Sequence, residues 1–192
     1  MNLNILDFAG KKVVSGFVES IGQPGRKGDA ILVPAVIKNK AYIDGRMQDT
    51  KLNIVFVNNA KLAMASFIKG QHVGQRITVL IIEHEGMAYA MKATADKSFI
   101  WQLSDGQNVR NVIYGDVHLD RMDEKQRYAK VITNIDGVEY ATTFWNNETS
   151  PMGERIRKVF EKVASKQTFL VCGENKPFNG KPSMRGFWFI CD

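Results

Sequence analysis

Apolar and polar residues alternate with a period of two along most of this chain, in short runs separated by Gly, Asn and Asp. In the first half, Val13–Ile21, Ala30–Lys38, Lys51–Asn58, Arg76–Glu83, Met87–Ala93 and Ser98–Leu103 read as strands, with Tyr42–Asp49 a hairpin excursion. Pro34 predicts an edge or a bulge, because proline cannot donate to a ladder. Asn59 is placed to cap a short helix that Gly70 and Gly74 stop. In the second half the strand runs are Val112–Asp120, Arg127–Asn134, Val138–Trp145, Thr168–Glu174 and Gly186–Cys191. Asp136-Gly137 joins two of them with the dipeptide that favours a tight hairpin. From Pro151 to Ser165, Ile156, Val159, Phe160 and Val163 fall at helical spacing behind a proline suited to the first turn. Asn175–Arg185 reads as a basic loop.

The two halves repeat one another. VVSGFV at 13–18 matches VIYGDV at 112–117, which sets Gly16 on Gly115. FVNN at 56–59 matches FWNN at 144–147, and GQRITVL at 74–80 matches SKQTFLV at 165–171 in pattern. Three matches in the same order predict a duplicated unit, with a first domain over 1–105 and a second over 106–192. Each unit runs strand, strand, strand, helix, strand, strand. That is the element order of the OB-fold, a five-stranded, partly open Greek-key barrel. The expected class is therefore all-β with short helices, as two tandem OB-fold barrels. In strand one of each unit the glycine falls on the inward set, where a strongly coiled strand needs room to bend.

Composition changes this picture little. The chain has 44% hydrophobic and 24% charged residues, as ordinary globular domains do. No apolar run reaches the ~18–20 residues that cross a bilayer, and MNLNILDFAGKK lacks the basic start of a secretory signal, so a cytoplasmic location is expected. Cys172 and Cys191 fit two free thiols in neighbouring strands better than a disulfide framework. Charge says more. The net charge is +6, and Lys11–Ser104 carries 13 basic residues against 7 acidic ones, so the first half holds nearly all the excess. A basic surface permits a polyanionic partner without requiring one.

A basic OB barrel with outward aromatic residues resembles the single-stranded-DNA-binding protein family. Here the resemblance covers nearly the whole chain and is carried by element order, the strand-one glycines and Phe144-Trp145 at the end of strand three. It departs at the end of the sequence, where GFWFICD reads as a strand and bacterial members typically have a flexible acidic tail. The resemblance therefore points to a phage or plasmid relative, acting on single-stranded DNA in replication, recombination or transfer.

Such barrels hold single strands by stacking bases on aromatic rings beside a cationic groove. The surface used is the outer face of strands two and three, with the loops joining strands one–two and four–five. Candidates on strands are Phe17, Lys92, Tyr114, Arg127, Tyr128, Lys130 and Trp145. Those on loops are Arg26 and Lys27 in GQPGRKGD, and Lys176, Phe178, Lys181 and Arg185 in NKPFNGKPSMRG. The competing reading for each ring is packing between barrels, and Trp101 is expected to be a core or inter-barrel packing residue. RNA would use the same surface.

No catalytic constellation is recognisable, and no metal or cofactor is expected. GQPGRKGD lacks the Ser or Thr after its lysine, and the helix, that a phosphate-binding loop needs. His72, His84 and His118 lack metal-ligand spacing. A protein-interaction module remains the alternative. In it, hydrophobic edges such as AILVPAVI and RITVLIIE would build homo-oligomers by edge pairing.

Overall fold

The computed structural model describes residues 5–8, 10–43, 46–104, 109–123, 128–145 and 168–191. They divide into two compact units, Met1–Asp96 and Lys97–Asp192.

The first unit holds β1 (Ile5–Phe8), β2 (Lys11–Ile21), β3 (Gly25–Lys27), β4 (Ala30–Ile43), β5 (Arg46–Asn58), α1 (Met64–Lys69), β6 (Arg76–His84) and β7 (Met87–Thr94). β2 pairs on one side with β4 and on the other with β6, so β2, β4, β5, β7 and β6 close into a ring. The β5–β7 contact is parallel and every other contact in the ring is antiparallel. This is the OB-fold order, with the helix between the third and fourth ring strands. Val14, Val18, Val33, Ile37, Ile54, Phe56, Ile77, Val79 and Ile81 fill the interior, and α1 adds Ala65 and Ile68. The alternation in the sequence explains that filling, since every second residue of a strand points to the same side.

The second unit holds β8 (Phe99–Ser104), β9 (Val109–Asp123), β10 (Tyr128–Ile135), β11 (Val138–Trp145), β12 (Thr168–Asn175) and β13 (Ser183–Cys191). β9, β10, β11, β13 and β12 close in the same order, again with one parallel contact, β11 with β13. The chain is thus two tandem OB-fold barrels. The run Ser98–Leu103, read from the sequence as the last strand of the first unit, corresponds to β8, which pairs with β9 in the second. The helix expected over 151–165 lies outside the described residues. Cys172 and Cys191 fall on the paired strands β12 and β13. Among the described residues no helix is long and apolar enough to cross a membrane.

Local chemistry accounts for the irregular points. A Cβ on Gly16 would stand 2.5 Å from the Lys38 carbonyl oxygen, so only glycine lets β2 coil this closely over β4. Gly115 takes the same place in the second barrel, since Gly16 faces Ile77 on the fourth ring strand and Gly115 faces Phe169. That register aligns Ile77 with Phe169, one residue beyond the Thr168 that the sequence match selects. Pro34 sits where the neighbour of β4 changes from β3 to β2. Its carbonyl accepts the Gly22 N–H at 2.8 Å, and its missing N–H falls on that same, otherwise open side.

The paired asparagines divide their work differently from the sequence expectation. The Asn59 Oδ1 accepts the N–H groups of Lys61 and Leu62, at 2.8 and 2.9 Å, and forms a turn without capping the helix. The cap comes from Asn58, whose Oδ1 accepts the Ser66 N–H at 3.1 Å while its Nδ2 donates to the Ser66 Oγ at 2.6 Å. The helix starts only at Met64 because the turn at Asn59 occupies the intervening residues.

Candidate functional site

In the second barrel, β10 and β11 form the hairpin that Asp136-Gly137 predicts. Both residues have positive φ, 52° and 81°, and the Gly137 N–H is bound by the Asn134 Oδ1 at 3.0 Å. Alternation then sorts the side chains. Ala129, Val131, Thr142 and Phe144 point inward and are buried. Tyr128 and Lys130 of β10 share the outer face with Ala141, Thr143 and Trp145 of β11, Tyr128 opposite Trp145 and Lys130 opposite Thr143. β13 extends that face with Ser183 beside Ala141 and Arg185 beside Thr143.

One wall rises from this floor. Asn175–Arg185, expected as a loop, is a continuation of the β12–β13 hairpin closed by a two-residue turn. Asn179 and Gly180 both have positive φ, 50° and 73°, and Phe178 and Lys181 exchange N–H···O bonds of 3.2 and 3.0 Å across them. Nearer the barrel the Lys176 N–H binds the Ser183 carbonyl at 2.9 Å, and the Ser183 hydroxyl donates to the Lys176 carbonyl. The Asn-Gly dipeptide was the signal for this turn.

Wall and floor enclose an open groove of about 910 Å³. It brings together Tyr128, Lys130, Trp145, Lys176, Phe178, Lys181 and Arg185, all candidates from the sequence, although they come from three strands and a hairpin tip. Among the described residues, the cations lining it are Lys130, Lys176, Lys181 and Arg185, and no carboxylate lines it. Glu174 lies 3.3 Å from the Lys176 Nζ. Trp145 is 43% and Phe178 71% exposed, unusual for large apolar side chains. Tyr128 leans on Trp145 with ring centroids 5.2 Å apart and planes inclined by 49°. Thr143, Ala141 and Ser183 also line the groove. The period-two extension back from Trp145 would have found the first two.

The remaining candidates fall elsewhere. Tyr114 is buried beside β8, directly opposite Phe99 in the ladder, and stacks on it with ring centroids 5.6 Å apart. It is therefore no open platform, because Phe99, on the strand read from the sequence as part of the first unit, packs against it. Trp101 is buried, as expected, against Phe99 at 4.6 Å. Phe17 is exposed on β2, with the Arg76 guanidinium 5.5 Å from its ring centre. Arg26 and Lys27 lie exposed on β3, and Lys92 is exposed on β7. Arg127 lies outside the described residues.

Among the described residues the first barrel has no counterpart to this groove chemistry. Strand pairing matches Tyr128 and Lys130 with Leu32 and Pro34, and Thr143 and Trp145 with Val55 and Val57. It matches Arg185 with Tyr89. The basic residues beyond these positions are matched by acids: Lys38 lies 3.0 Å from Asp49, and Lys51 lies 2.7 Å from Glu19. The hydrogen bond and charge of Asp49 hold the Lys38 ammonium above its ordinary pKa. The charge excess of the first half is therefore not gathered on this face.

Strand order and pairing define both units as OB-fold barrels. No protein-family profile matches the sequence, and no curated protein does. Solved structures similar to it include the p204 HINb domain, at 8% identity over 93% of this chain and 95% of that one, with a TM-score of 0.29. Another is the Ifi202 HINa domain in complex with 20bp dsDNA, at 9% identity over 94% and 95%, with a TM-score of 0.28. With scores this low, the fold rests on the strand pairing described above.

Proposed function

We propose that this protein is a non-catalytic binder of single-stranded DNA, with its principal site in the groove of the second barrel. The observation that supports this reading is the convergence of exposed rings, Trp145 and Phe178, with Lys130, Lys176, Lys181 and Arg185 in one groove that no carboxylate of the described residues lines. Rings at the surface stack unpaired bases of any sequence, and the cations follow the phosphates. As the resemblance to single-stranded-DNA-binding proteins implies, its setting is replication, recombination or transfer of a phage or plasmid genome.

Fluorescence anisotropy with a labelled oligo-dT tests this. Four phosphate contacts to a single strand correspond to a fall in affinity of about 50-fold between roughly 50 and 200 mM salt. Absence of binding at micromolar protein and low salt refutes the proposal. Competition with a matched RNA oligomer separates DNA from RNA.

The exposure of Phe178 also suits a second reading, in which these rings contact a protein or another copy of the chain. Replacing Trp145 and Phe178 together by Ala would then change oligomer size and leave DNA affinity unaltered.

A further inference from the structure

The groove presents the rings of Tyr128, Trp145 and Phe178, which suggests three stacking positions. The geometry reduces them. A base held between two rings needs about 7 Å from one ring to the other, twice the ordinary carbon contact distance, and nearly parallel planes. Tyr128 and Trp145 are 5.2 Å apart at 49°, too close and too inclined to admit one. They are in contact with each other, in the tilted arrangement that aromatic pairs favour. Trp145 is 43% exposed, while Tyr128 is only partly so.

We infer that Tyr128 is a positioning residue that braces the Trp145 ring, so that the groove stacks two bases, one on Trp145 and one on Phe178. This rests on the reading of the groove as a single-strand site and fixes how many bases it stacks. Tyr128 restricts the tilt of an indole that would otherwise rotate at the end of β11, and the ordering is complete before the ligand arrives. Phe178 is held separately, at the tip of the hairpin whose turn is Asn179-Gly180.

The test is a set of Kd measurements on a labelled oligo-dT with Trp145→Ala, Phe178→Ala, Tyr128→Ala, Tyr128→Leu and the paired combinations. Loss of a stacking platform weakens binding about 5- to 150-fold. Trp145→Ala and Phe178→Ala are each expected in that range, and their losses multiply in the double variant. Tyr128→Ala should cost less than Trp145→Ala and nothing further once Trp145 is gone. Tyr128→Leu should keep most of the affinity, since bulk without a π face still braces the indole. Leucine fits this strand position, because Leu32 occupies it in the first barrel.

If Tyr128→Leu binds as weakly as Tyr128→Ala, and both losses multiply with Trp145→Ala, Tyr128 is a third platform and the inference is overturned. Failure of the unaltered chain to bind removes the site reading as well. The two failures are thus distinct.

Discussion

Gly186 lies so close to Phe144 that a Cβ on it would stand 2.4 Å from Cε1 of the ring. Phe144 is wholly buried in the second barrel core, and its neighbour in sequence, Trp145, faces the groove. Arg185, also on the groove, precedes Gly186 on β13. Core packing and groove shape are therefore set at one crossing of β11 and β13. Gly186→Ala is expected to destabilise the protein by about 1–3 kcal/mol, the usual cost of overpacking. Denaturant unfolding would show it. Phe56 of the first barrel, at the matching position, has Ala90 opposite it on β7, so the clash is specific to the second barrel.

The hairpin tip offers a separable prediction. Asn179 and Gly180 both have positive φ, which a residue with a Cβ resists at the second position. Gly180→Val should disturb the turn without altering any charge or ring. Affinity for oligo-dT falls because Phe178 and Lys181 lose their fixed separation, whereas the unfolding midpoint moves little for so exposed a turn. An unchanged Kd would show that the hairpin does not position the rings.

The groove cations should reveal themselves through salt. Each of Lys130, Lys176, Lys181 and Arg185 that contacts a phosphate contributes roughly 0.7 to the slope of log affinity against log salt. Single replacements by Ala are expected to lower the slope by that amount and to weaken binding to all sequences alike. Lys51→Ala serves as the contrast. Lys51 lies on β5 of the first barrel, outside the groove and beside Glu19 at 2.7 Å, and removing it should leave the slope unchanged.

In the first barrel, Asn58→Ala removes both side-chain bonds to Ser66 and leaves the first turn of α1 uncapped. Loss of about 1 kcal/mol is expected, as for other helix caps. Asn59→Ala would instead loosen the turn before the helix. Thermal unfolding of the two variants separates the roles.

Tyr114 gives the reverse case, a ring chosen for binding that belongs to packing. Tyr114→Ala should cost on the order of 3–5 kcal/mol, as truncation of a buried aromatic does. Its effect should appear in unfolding measurements and in oligonucleotide binding only through loss of folded protein.

The alternation of apolar residues, the Asp136-Gly137 turn and the glycines at 16 and 115 determined strand order, and so the two barrels, from sequence alone. They could do so because strand facing and hairpin formation are local matters, written in residues two to four apart. The site was legible in part. Tyr128, Lys130, Trp145, Lys176, Phe178, Lys181 and Arg185 were recognisable as exposed basic and aromatic residues, but nothing local says that they share a groove. Their convergence depends on β11 lying parallel to β13, a pairing between segments about forty residues apart. A different pairing, the hairpin of β8 on β9, placed Phe99 opposite Tyr114 and buried a ring that alternation alone had assigned to the surface. A period of two tells which residues lie on the same face of a strand. Only the neighbouring strand decides whether that face is open to solvent or covered.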